Sequence, residues 1–263
     1  MTFIDHGFLS SEMAEFRVKA LAKYRDYTTL LAELNHQLVA VQYELKFDLS
    51  NTAHVLAASY FVRTLASTQA SAILLEHGLI SQSQAVLRSA LESLFALAAL
   101  DANPDIAVRL AQSQATDKCS LADKMLRWKS DELKLTRDAH IPESALTEFA
   151  TNKAASLNTY SLAEFAGMSD WYLSLYALLS QAAHNTVSDL ATHMVRDRNG
   201  SVIELQNEPL LEGQDSAWVF IIEVQLRAAK AVANLFAGTS IDVETYELRL
   251  KGLIERAANG SRT

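Results

Sequence analysis

Apolar residues recur along this chain at three- and four-residue intervals, in long runs separated by natural helix stops. That period stacks apolar side chains on one face of an α-helix, so the pattern predicts helices almost from end to end. Ser10 and Ser11 are cap residues with Glu12 and Glu15 in the turn behind them, and the pattern continues to about Phe47 with a break near Asp26. Asn51 caps a second helix that runs to His77 and stops at Gly78. Ser81-x-x-Gln84 reads as a capping box that opens a third. Asn103-Pro104-Asp105 joins an N-cap, a proline at the first helical position and an acid, and starts a fourth that fades near Arg137. Pro142 restarts a helix through about Ser156. Ser161-x-x-Glu164 opens a short one ending at Gly167, Ser169 caps another over about 170–185, and Ser188 starts a further turn to Arg196.

Alternation replaces the helical period once. Asn199-Gly200 is a turn dipeptide followed by Ser-Val-Ile-Glu-Leu, so at most a small β-hairpin is expected near residues 199–207. Glu208-Pro209 closes it. A strongly apolar helix follows over about 216–236, and an amphipathic one from Asp242 to about Ala257. No repeat or composition shift divides the chain. The expected fold is all-α, one multi-helix bundle over residues 1–263, with core helices at about 52–77, 82–101, 170–185 and 216–236.

Composition supports this. The 263 residues include only 3 prolines and 8 glycines, too few turn formers for a sandwich or barrel. A net charge of −8 removes the usual basic footprint of a nucleic-acid binder. The densest basic stretch, Lys124 to Arg137, is interleaved with Asp123, Asp131 and Glu132, as on a solvated helix face. The single cysteine, Cys119, excludes an intrachain disulfide and any multi-cysteine metal site. No apolar run reaches the ~20 residues that span a bilayer, and no secretory signal opens the chain, so a cytoplasmic protein without membrane association is expected. No glycine-rich nucleotide motif occurs, and no cofactor is assigned. Trp218-Val-Phe-Ile-Ile222 is apolar on every side and must be covered, either by the terminal helices of the same chain or by a second copy; a homodimer is the expectation.

Two polar groups interrupt the apolar helices. Arg88 and Glu92 are four residues apart, with Ser89 and Ser93 beside them. Tyr172, Tyr176, Ser180 and His184 descend another helix in four-residue steps, and Asn185 follows. Buried polar groups need partners, so the simplest arrangement sets the two helices face to face. Arg88, Glu92, Ser180 and His184 would then line one cavity, with Tyr176 and Asn185 on its rim. Such a group is either a structural network or a site for a small polar ligand or protein partner. The alternative is a hydrolase acting on nucleic acid or nucleotides, with His184 as general acid or base, Arg88 stabilising the transition state and Glu92 orienting the imidazole. Ser180 lacks the strand–turn–helix elbow of a serine nucleophile. Glu33-x-x-His36 is half of a di-iron bundle motif without its second copy, and no spacing ties Glu92 and His184 to His193, so no metal is assigned.

At these residues the chain resembles an uncharacterised bacterial helical family, the domain of unknown function numbered 5677. The resemblance is carried by Leu87-Arg-Ser-Ala-Leu-Glu92, by Tyr176-Ala-Leu-Leu-Ser-Gln-Ala-Ala-His184, and by the turn-rich segment Asp197–Pro209 before an apolar helix. It spans about residues 55–236. It implies an all-α fold and a shared polar site at Arg88, Glu92, Ser180 and His184, without a settled activity.

Overall fold

The computed structural model describes residues 2–127, 157–184, 187–205 and 207–260. The helix expected over 142–156, the end of the fourth helix beyond Arg127, and Asn185 lie outside them. The described chain is all-α with one small hairpin.

After a one-turn helix, Phe3–His6, α1 (Met13–Lys23) and α2 (Arg25–Glu44) meet at Tyr24, two residues before the expected break. Ser10 is extended and its Oγ accepts from the Glu12 amide at 3.0 Å, capping the turn that leads into α1. α3 (Thr52–Glu76) is capped as expected, the Asn51 carboxamide accepting from Ala53 and His54 amides. It turns at Gly78 into α4 (Ile80–Ala102). Gly78 has φ +73°, and a Cβ there would lie 2.6 Å from the Leu210 nitrogen and 2.8 Å from the Phe16 ring, so only glycine fits. The Ser71 and Ser83 hydroxyls, both fully buried, meet at 2.8 Å and fix the antiparallel register of this helical hairpin.

The capping box expected at Ser81 does not form. α4 starts two residues earlier than the expected 82, at Ile80, and the Ser81 hydroxyl donates to the Asp189 carboxylate of a distant segment. α5 (Ile106–Leu126) follows the Asn103-Pro104 turn, where Asn103 Oδ1 accepts from the Asp105 amide. α6 (Thr159–Phe165) is capped by Asn158 rather than Ser161, because the Asn158 carboxamide reaches the Ser161 amide at 2.8 Å. α7 occupies 169–183; it includes Ser169 as a helical residue rather than a cap, and its middle, Tyr172–Tyr176, is a wide π turn.

After one turn, α8 (Val187–Leu190), the chain enters β1 (Met194–Arg196), which pairs antiparallel with β2 (Val202–Leu205). The hairpin thus begins five residues before Asn199, where a helical turn was expected. The Asp197 carboxylate closes its loop by accepting from the Asn199 and Ser201 amides. α9 (Asp215–Leu235) and α10 (Val243–Gly260) complete the chain.

α4 is the central element: Leu87, Leu91, Leu94, Phe95, Leu97 and Leu100 are wholly buried. α3 and α9 pack against it, and α2 adds Leu30, Leu34 and Leu38. α7, expected as a core helix, lies with one face on α4 and leaves Leu173 and Leu178 exposed. Trp218, Ile221 and Ile222 are fully buried within this single chain, with α2, α3, α4 and α10 around α9. The cover that argued for a second copy is therefore supplied from inside. Among the described residues, no helix is long and apolar enough to cross a membrane.

Candidate functional site

α4 and α7 run antiparallel with their polar residues facing. Arg88 is the hub. Its Nε donates to Ser180 Oγ at 3.0 Å and its Nη2 to the Tyr176 hydroxyl at 2.5 Å, while Nη1 lies 3.2 Å from Glu92 Oε1. The Tyr176 hydroxyl donates to the same Oε1 at 2.9 Å. Ser180 completes the group by donating to its own helix, to the Tyr176 carbonyl at 2.7 Å. A guanidinium, a phenol, an alcohol and a carboxylate thus satisfy one another across two helices. The charges balance, which is why the group tolerates partial burial.

The site is half-buried rather than sealed: the Arg88 side chain is 22% exposed and that of Glu92 37%. Tyr176 is the buried member. Its ring packs on Phe95 and stacks on Tyr172 at 4.8 Å and 16°, and the guanidinium of Arg88 lies 4.6 Å from its centroid. Burial pushes the Tyr176 phenol up to about 12; the hydrogen bond to Glu92 and its charge act in the same direction, against the opposing pull of Arg88 and Thr159. Tyr176, placed on the rim by sequence reasoning, is the centre of the group.

His184 stands apart. The pairs Arg88–Ser180 and Glu92–Tyr176 fix the register, so the level of His184 on α7 is that of Gln84, not Glu92. Eight residues of helix separate it from Tyr176, about 12 Å along the axis. It is exposed at the C-terminal end of α7, where its backbone amide closes on the Ser180 carbonyl. Glu33 of the Glu-x-x-His pair is taken by Arg249 at 2.5 Å, which holds its carboxyl below the usual carboxylate range.

Glu92 also borders a cleft of about 530 Å³. α3 contributes Ser59, Tyr60 and Arg63 to it, α4 contributes Ser89, Glu92 and Ser93, and α6 contributes Thr159. Glu92 meets Arg88 and Tyr176 through Oε1; Oε2 has no protein partner among the described residues. Arg63 likewise makes no hydrogen bond or ion pair among them. Sequence reasoning missed Arg63, although a signal exists: it is the only Arg, Lys, Asp or Glu of α3 before Glu76. The same signal singled out Arg88 and Glu92.

No curated protein and no solved structure matches the chain. A family model does, over residues 54–202, from the start of α3 to the first residue of β2. That span takes in the four hydrogen-bonded residues and the cleft residues of α3, α4 and α6, and stops short of the apolar helix α9. Because the match covers more than half of its length, the chain belongs to the family of unknown function DUF5677.

Proposed function

We propose that this protein is a ligand-responsive helical module that binds a small polar molecule at Glu92, without catalysis. One observation carries the reading: Arg88 and Tyr176 clamp a single oxygen of the Glu92 carboxylate, the other has no partner among the described residues, and the residue lines an open cleft. A carboxylate oriented by two donors loses little entropy when it accepts a third hydrogen bond, which is how preorganised polar groups give specificity in a pocket. The clamp also spans α4 and α7, so a ligand at Glu92 acts on the contact between two elements. The hydrolase alternative needs an acid or base beside Glu92, and the exposed position of His184 offers it no support.

The test is thermal unfolding against a panel of small polar compounds. A ligand of this site raises the melting temperature of the native protein and leaves Glu92→Gln unchanged. A broad panel that shifts neither protein overturns the proposal.

A further inference from the structure

The cleft is lined by two opposite charges at nearly one height. From the Ser71–Ser83 contact, eight residues back along α3 lead to Arg63, and eight forward along α4 lead to Leu91, the neighbour of Glu92. Packed helices stand about 8–10 Å apart, so the guanidinium of Arg63 and the carboxylate of Glu92 flank the cleft at nearly one level. They form no ion pair with each other, and neither Arg63 nor Glu92 Oε2 has another protein partner among the described residues. Between them the cleft has a mixed lining. Ser59 and Ser89, one helical turn from Arg63 and Glu92, also line it, and Ala96, Leu110 and Leu162, all buried, are its apolar members.

We infer that the cleft takes a small zwitterion with an apolar side chain, the chemistry of a free α-amino acid. The inference rests on the ligand-binding reading of Glu92 and names the class of ligand. The carboxylate of the ligand pairs with Arg63, whose planar fork matches it. The ammonium group meets Glu92 Oε2, and the side chain covers the apolar members of the lining. A ligand with only one charge forgoes one of the two charge-assisted contacts, with the exposed Arg63 or with the half-exposed Glu92, which is the source of discrimination.

Calorimetric titration of the full chain tests this with L-leucine and L-phenylalanine, each compared with its N-acetyl derivative and its amide. The free amino acids are expected to bind at least tenfold more tightly than either blocked form. Arg63→Ala should bind L-leucine no better than the native protein binds L-leucinamide, and Glu92→Gln no better than the native protein binds N-acetyl-L-leucine. Arg63 is exposed, so its replacement leaves folding intact. Equal binding of free and blocked forms, or unchanged binding by Arg63→Ala, overturns the inference. If no amino acid binds but an uncharged compound raises the melting temperature in a Glu92-dependent way, the zwitterion is wrong and the binding site stands. If nothing binds, both fall.

Discussion

The Tyr176 hydroxyl donates to Glu92 Oε1 at 2.9 Å, and through that bond a buried residue of α7 holds a half-exposed carboxylate of α4. Removing the hydroxyl alone isolates the bond. Tyr176→Phe keeps the packing on Phe95 and Tyr172 but leaves Glu92 with Arg88 as its only clamp. A hydrogen bond to a charged group is worth about 1.5–3 kcal/mol, and the partial exposure of Glu92 places the expected loss near the low end. Urea unfolding measures it.

The same residue makes a pH prediction. The Tyr176 phenol is raised from 10.0 to about 12, chiefly by burial. A raised native pKa means that the folded protein keeps its proton after the unfolded chain has lost it. Stability is therefore intact below about pH 10 and falls as the pH climbs through 12. Burial also raises the Tyr24, Tyr27 and Tyr246 phenols, so the native protein alone is not diagnostic. The expected result is a shallower decline for Tyr176→Phe than for the native protein over that window. Parallel declines would remove Tyr176 as a contributor.

Arg88 has three acceptors in fixed directions, on Ser180, Tyr176 and Glu92. Lysine keeps the charge but not the fork. Arg88→Lys is expected to lose most of what Arg88→Ala loses, about 2 kcal/mol, because the geometry rather than the charge holds α7 to α4. Full rescue by lysine would show that the charge alone suffices.

Gly78 tests the helical hairpin that sets the height of Arg63 against Glu92. A methyl group there meets the Leu210 nitrogen, the Pro209 carbonyl carbon and the Phe16 ring, all under 3.0 Å, at a positive φ. Two of these three are backbone and cannot swing away. Gly78→Ala should destabilise by at least about 3 kcal/mol, seen in thermal or urea unfolding, against about 1–2 kcal/mol for Gly200→Ala, where nothing lies within 4 Å of the new Cβ and the strain of φ +84° is the whole cost.

The helices were legible in the sequence because apolar period, Asn51 and Gly78 act locally. The misread caps share one cause. Ser81, Ser161 and Ser169 each stand where a serine can cap, but a competitor wins: Asp189 takes the Ser81 hydroxyl, Asn158 takes the Ser161 amide, and α7 begins at Ser169 itself. β1 was read as helix because Met194-Val-Arg196 is too short to show alternation, and its partner strand lies six residues on. Charge in an apolar helix located Arg88 and Glu92. What it could not give is register: face-to-face helices allow either Glu92–Tyr176 or Glu92–His184, and only the antiparallel alignment through Arg88–Ser180 selects the first.

That selection can be measured in solution by two double-mutant cycles. Glu92→Gln combined with Tyr176→Phe joins residues that share a hydrogen bond, so the double variant should depart from additivity by about 0.5–3 kcal/mol. Glu92→Gln combined with His184→Ala joins residues whose levels on the paired helices differ by about 12 Å, beyond the range at which effects couple, so the two losses should add within about 0.5 kcal/mol. His184→Ala alone should be close to neutral, as for an exposed helix-end residue whose side chain has no partner among the described residues. The outcome bears on chemistry as well as on packing. A coupling between Glu92 and His184 as large as that between Glu92 and Tyr176 would place the imidazole at the carboxylate and restore an acid–base pair. Additivity leaves the carboxylate with Arg88 and Tyr176, a pair of donors suited to fixing an acceptor for a ligand.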